Sequence, residues 1–148
     1  MTTRAIYFDM DGTIANLYGV DNWLDMLRAY DSTPYEIAKP LINMNSLARL
    51  LNNLQKKGYK IGIVSWLSKI PNNDYDVKVT NAKKKWLSTH LKSVKFDEIH
   101  IVAYGTPKSS MVNFPKGILF DDESNNRNEW KGTAFDVNNI IEILKGLA

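Results

Sequence analysis

Ala5-Ile6-Tyr7-Phe8-Asp9-Met10-Asp11-Gly12-Thr13 carries an apolar run straight into two aspartates one residue apart. A short apolar run of this kind reads as a buried strand, with residues 5–9 as its extent. On extended backbone, residues i and i+2 point to the same side. Both carboxylates can then face one point while Met10 faces away. Gly12 permits a turn that a residue with a side chain resists. Two carboxylates held together repel each other unless a cation or a proton intervenes. An isolated D-x-D is equally well a polar strand-to-loop turn, so the rest of the chain has to decide.

Working outward, short apolar runs alternate with amphipathic stretches, which predicts strands alternating with helices around a parallel sheet. The further strand candidates are residues 60–65, 98–103, 117–121 and 133–136. The central ones are nearly continuous in apolar residues, as strands covered on both faces should be. Leu47, Leu50, Leu51 and Leu54 recur at helical spacing, with Asn45 or Ser46 as N-cap and Gly58 as the stop. A second helix is predicted over residues 74–91, with Tyr75, Val79, Ala82 and Trp86 on one side. The last holds Val137, Ile140, Ile141 and Leu144 behind Asp136 as its cap. These stripes read as core.

Residues 16–44 differ: about 30 residues separate the first strand from the first long helix, longer than an ordinary βα connection. They carry Tyr18, Trp23, Leu24, Leu27, Tyr30 and Tyr35, and residues 22–30 read as a short helix capped by Asp21. The segment is an active-site cover or a surface embellishment.

The bulk numbers bound the function. The 148 residues suit one compact domain with a real core. A 44% hydrophobic and 11% aromatic content disfavours disorder. There are no cysteines, which removes disulfides, zinc-thiolate sites and thiol catalysis. The charged start of the chain is unlike a signal peptide, and no apolar stretch reaches membrane-spanning length. A soluble, cytoplasmic protein without a membrane partner is the expectation. A formal charge of +3 is compatible with an anionic ligand but is weaker than the basic face of a typical nucleic-acid binder.

Three further positions carry chemistry. The second strand ends in Ser65-Trp66, where a hydroxyl followed by turn N–H groups can cradle a phosphate. After the third strand comes Gly105-Thr106-Pro107-Lys108, read as Thr106 capping a short helix whose first turn holds Lys108. A cation is disfavoured there, and an anionic partner removes the conflict. The fourth strand delivers Asp121-Asp122, and carboxylates at a buried strand end need a partner. A metal shared with Asp9 supplies one, and magnesium suits an all-oxygen site that also holds phosphate.

Asp9-x-Asp11, Ser65, Lys108 and Asp121-Asp122 occur after successive strands in that order. The order resembles the four-motif signature of the haloacid dehalogenase superfamily over nearly the whole chain, and somewhat its deoxyribonucleotidase-related branch. The resemblance implies a three-layer α/β/α Rossmann-like fold with parallel sheet order 3-2-1-4-5. It implies a small helical cap inserted after the first strand, at about residues 16–44, and too little room at residues 67–79 for a second one. By the same resemblance Asp9 is the nucleophile and a magnesium ligand. Asp11 is the general acid/base and offers its backbone carbonyl to the metal. Ser65 with neighbouring N–H groups, Trp66 included, and Lys108 hold the phosphoryl group. Asp121 binds the metal, and Asp122 reaches it directly or through water. Superfamily dehalogenases do not keep the second aspartate, so Asp11 points to a phosphatase.

The implied substrate is a small phosphorylated metabolite, with a nucleoside monophosphate leading. Tyr18, Trp23 and Trp66 are candidates for stacking on it, against the plainer reading that they fill the cover's own core. A nucleic-acid end is the second substrate class. The Lys83-Lys84-Lys85 run would suit it, although that run reads better as a solvated helix face opposite Ala82 and Trp86. A non-catalytic module that keeps the fold would be expected to lack a motif residue, and none is missing. A phosphoreceiver domain would place its aspartate after the third strand, where Val102-Ala103-Tyr104-Gly105 offers none. His90 and His100 are isolated and read as surface or partly buried residues. Asn125, Asn126, Arg127 and Asn128 either approach the site or form a surface turn.

Overall fold

In the computed structural model, which describes residues 3–148, five parallel strands form the central sheet. They are β1 (Ala5–Phe8), β4 (Lys60–Trp66), β5 (Glu98–Val102), β6 (Ile118–Phe120) and β7 (Thr133–Phe135). Their spatial order is β5-β4-β1-β6-β7, which is 3-2-1-4-5 when only this sheet's strands are counted. The expected Rossmann-like fold is therefore present, and each predicted strand lies within about two residues of its observed bounds. All four residues of β1 are buried, because the strand is central and packed on both faces.

Alternation along β1 divides the core in two. Ile6 and Phe8 face the larger cluster, built with Leu47, Leu51 and Leu54 of α3 (Met44–Lys56), Trp86 and Leu87 of α4 (Asn73–His90), and Ile140 and Leu144 of α6 (Ile140–Leu147). Ala5 and Tyr7 face a smaller cluster with Val64, Val112, Leu119 and Trp130. That second face is covered by a thinner layer, the segment around Val112 and the short helix α5 (Ser124–Glu129).

The helix stripes are core, as read, but several caps differ. Asn43, not Asn45 or Ser46, caps α3, its side chain accepting from the Ser46 N–H at 2.9 Å. Gly58 ends that helix at φ 98°, a conformation that suits glycine. Asp136 accepts from the Val137 N–H as predicted, although the first turn there is 3-10 and α6 starts only at Ile140. Thr106 caps nothing: its hydroxyl donates to Ala103 O at 2.7 Å, and Pro107 precedes a 3-10 turn at Lys108–Ser110.

Between β1 and α3 the chain forms α1 (Trp23–Arg28), α2 (Thr33–Ile37) and a two-residue ribbon, β2 (Ala15–Asn16) with β3 (Lys39–Pro40). Asp21 does not cap α1; Asn22 holds that position at φ 60° with no side-chain bond. The ribbon returns the chain beside its point of departure, so the inserted segment leaves the sheet topology undisturbed. Leu17 and Tyr35 bury against Tyr75, Val79 and Ala82 of α4. Trp86 Nε1 donates to Ala38 O at 2.7 Å and the Tyr75 hydroxyl to Asp31 O at 3.0 Å. No helix among the described residues is long and apolar enough to cross a membrane.

Candidate active site

Parallel strands aim their carboxyl ends at one edge of the sheet, where ligands of open α/β proteins sit. Asp9 leaves β1 there, its N–H donating to Phe120 O at 2.9 Å, which ties it to β6. Asp121 follows β6 and has no exposed surface. Carboxylate oxygens of Asp9, Asp121 and Asp122 all lie within 4.8 Å of one another. Gly12, at φ 79°, lets the Asp122 carboxylate close in: a Cβ there would stand 2.3 Å from Asp122 Oδ2. Its reason is therefore close approach as well as the turn.

Lys108 lies in the middle of this group. Its ammonium, 2% exposed as a residue, donates to Asp9 Oδ1 at 2.9 Å and Asp121 Oδ2 at 2.6 Å. Thr13 Oγ1 donates to Asp9 Oδ2 at 3.1 Å, so both Asp9 oxygens are held. The 3-10 turn, with no completed helix behind it, leaves little dipole to oppose the Lys108 charge. The two carboxylates raise its basicity and outweigh its burial.

Asp9 and Asp11 both line one cavity, and the Asp9 charge acts on Asp11, but the two carboxylates take different partners. The strand ends at Phe8, and Asp11 stands in the turn beyond it. Asp11 Oδ2 accepts from Lys83 Nζ at 2.9 Å. Met10 does face away, into the core. Lys83 was expected on a solvated helix face and is instead fully buried, with Lys84 and Lys85 outside. Besides Asp11 it donates to Ser65 Oγ at 2.7 Å and Trp66 O at 2.6 Å. The periodicity that placed Ala82 and Trp86 inward also turns residue 83 inward, because α4 is covered both by the sheet and by the inserted segment.

Desolvation dominates the ionisation of the acids. Asp122 is pushed up to about 8, by burial first and then by Asp9 and Asp121. Asp121 rises to about 6, again from burial and the Asp9 charge, against the pull of Lys108. Burial also raises Asp11, against Lys83. Four carboxylates thus meet two ammonium groups, and when all are ionised two negative charges remain uncompensated. A divalent cation held by Asp9, Asp121 and Asp122 fits both that excess and the all-oxygen donor set. The Asp11 carboxylate lies outside the trio, which accords with a backbone rather than a side-chain role toward a metal.

A cavity of about 350 Å³ opens onto Asp9, Asp11, Lys108 and Asp122. Two aromatic pairs line it, Tyr18 with Trp23 (ring centroids 5.0 Å apart) and Trp66 with Tyr104 (4.7 Å). The Trp66 Nε1 donates to Thr106 O at 2.8 Å, which fixes the indole beside the Lys108 turn. Of the other cover aromatics, Tyr35 is buried core and Tyr30 packs on Tyr75. Ser65 is fully buried and lies behind the lining. Of the N–H groups that follow Ser65, that of Leu67 donates to Val102 O at 2.7 Å and continues the sheet.

Sequence reading missed the roles of Lys83 and Tyr104, and left open whether residues 125–128 approach the site or form a surface turn; two of them approach it. Asn126 donates to Asp121 Oδ2 at 3.2 Å and Arg127 to Asp121 O at 3.0 Å, whereas Asn125 and Asn128 are exposed. Tyr104 had no local signal, since it enters the site by folding of a loop. His90 packs on Trp86 and His100 on Glu98, both away from the cavity.

No protein-family model matches the chain, and comparison with curated proteins finds no match. Solved structures do resemble it. A D,D-heptose 1,7-bisphosphate phosphatase from B. bronchiseptica, complexed with magnesium and phosphate, superposes with a TM-score of 0.59 at 13% identity. The match covers 98% of this chain and 99% of that one. The D,D-heptose 1,7-bisphosphate phosphatase from Burkholderia thailandensis gives 0.52 at 14% identity, over 84% and 70% of the two chains. At such identities the likeness establishes architecture, and the chain has the three-layer α/β fold of the haloacid dehalogenase type.

Proposed function

We propose that this protein is a magnesium-dependent phosphomonoester hydrolase that works through a phosphorylated Asp9. The observation that carries the reading is the Asp9–Lys108–Asp121 bridge beside Asp122, at the sheet edge that opens into the cavity. An Asp9 oxygen attacks phosphorus, the ester P–O bond breaks, and Asp11 delivers its proton to the departing alkoxide. Water then attacks the aspartyl phosphate, its proton returns to Asp11, and inorganic phosphate leaves. Burial, which favours neutral Asp11, suits it to begin as the acid. Lys108 holds Asp9 in place and supplies positive charge where phosphoryl oxygens gather it. Magnesium, when bound, neutralises phosphoryl charge and orients the group for in-line attack. The end of β4 borders the remaining phosphoryl oxygens, with Trp66 lining the cavity and Ser65 directly behind it.

Residues 16–44 are then a small cap on a single hydrolase domain. Tyr18 and Trp23 of the cap, with Trp66, contact the part of the substrate that does not react. Aromatic faces and a cavity of this size suit a small metabolite, with a nucleoside monophosphate as the leading substrate. A sugar phosphate is the second, supported by the heptose bisphosphate phosphatases of similar architecture. The nucleic-acid alternative loses its one basic run, since Lys83 points inward.

The test is phosphate release from nucleoside monophosphates, sugar phosphates and an aryl phosphate, with magnesium and with chelator. Turnover that needs magnesium is expected. A folded protein that turns over none of them would redirect the reading to a non-catalytic module.

A further inference from the structure

Lys83 is a fully buried charged group for which the hydrolytic scheme above has no use. It sits mid-way along α4, with 0% exposure and its three ammonium protons matched to three oxygens. Burying an ammonium is costly, and pairing commonly only offsets that cost, so an aliphatic residue would serve the core as well. The geometry has to account for it.

Each of the three acceptors lies at the candidate site. Lys83 ties Asp11, on the turn after β1, to Ser65 and Trp66, at the end of β4. Among the described residues the Asp11 carboxylate receives a protein donor only at Oδ2, so Oδ1 is left toward the cavity that Asp11 lines. An ammonium has donors and no acceptor, so Ser65 Oγ must accept from it. Ser65 itself is buried behind the cavity wall, so the bond fixes the Lys83 ammonium to the end of β4. The Tyr35 ring, 5.1 Å from Nζ, closes the remaining side and seals the group from water.

We propose that Lys83 is a positioning residue: it fixes Asp11 with Oδ1 presented to the leaving-group oxygen, and locks that carboxylate to the β4 end where the phosphoryl group binds. The proposal rests on the reading of Asp11 as the proton donor. It differs from Lys108, which addresses the nucleophile.

The test compares Lys83→Met with the unaltered enzyme on an alkyl and a nitrophenyl phosphate, magnesium present. An alkoxide needs a proton as it leaves and nitrophenolate hardly does. General-acid catalysis contributes about 10²–10⁴-fold, so Lys83→Met should lower kcat on the alkyl ester about 100-fold and on the nitrophenyl ester less than about tenfold. In an Asp11→Asn background the same change should cost kcat on the alkyl ester less than about threefold, because residues acting as a unit are not additive. Equal losses on both esters, or full additivity with Asp11→Asn, would overturn the proposal. If Lys83→Met does not fold, Lys83→Gln, which keeps two donors and drops the charge, carries the comparison. Failure of both to fold would assign Lys83 to the fold alone and also overturn it. An unaltered protein with no magnesium-dependent turnover would instead sink the hydrolase reading, a separate outcome.

Discussion

Asp121 and Asp122 are neighbours that folding makes unwilling anions. Their folded values, about 6 and about 8, lie above the ordinary carboxylate value near 3.8, with burial as the first cause in both. For an acid raised in this way, the folded state holds protons that the unfolded state has already lost. The stabilising contribution is therefore complete below about pH 3.8 and is lost as pH rises through 6 and then 8. Without a cation, the melting temperature of the protein should fall between pH 5 and 8.5, a decline that calorimetry in chelator would register. Magnesium should flatten it, since the cation takes the place of the protons. Asp122→Asn should raise the chelator melting temperature at pH 8 by about 3 °C while weakening magnesium's stabilising effect. A lower melting temperature in that variant would mean that Asp122 is paired more favourably than its surroundings indicate. Asp9→Asn should abolish turnover while leaving the fold intact, since the amide fills the same space.

At the scale of elements, the sheet was legible because buried parallel strands announce themselves as apolar runs closed by polar residues. The helix stripes were legible for a similar reason. What did not read locally was anything decided by an element's second neighbour. Lys83 looked solvated because one face of α4 sufficed for its apolar stripe, while the inserted segment covers another. Asn43 caps α3, ahead of both Asn45 and Ser46, since stripes mark faces rather than ends. The helix α2 carries Pro34 and Tyr35 in five residues, too few for periodicity to show. That Asp9, Lys108 and Asp121 come together follows the order of the strands that carry them, whereas the separate partners of Asp9 and Asp11 depend on a turn that no alternation rule describes. Two predictions belong here. Leu51→Ala, at a position with no exposed surface between α3 and the sheet, should cost about 3 kcal/mol by urea unfolding. Trp23→Ala, in the cap, should raise KM about tenfold for a nucleotide and leave an aryl phosphate nearly unchanged. Equal effects on both would place Trp23 in the cap's own packing.

For the whole molecule, the fold does one thing for the chemistry: it brings the ends of three adjacent central strands, β4, β1 and β6, to a single edge. Ser65, Asp9 and Asp121 come from those ends, and Lys108 reaches across from the segment after β5. The insertion between β1 and α3 adds a partial wall to the cavity without altering the sheet. The central claim is that the phosphoryl group passes through Asp9. It is tested most directly by acid-quenching the magnesium-loaded protein within its first turnovers, reducing with borohydride and mapping peptides. An aspartyl phosphate is reduced at its own carboxyl, so the account predicts a homoserine at position 9 and none when chelator replaces magnesium. Steady turnover with position 9 unmodified, or with turnover surviving in Asp9→Asn, would contradict it.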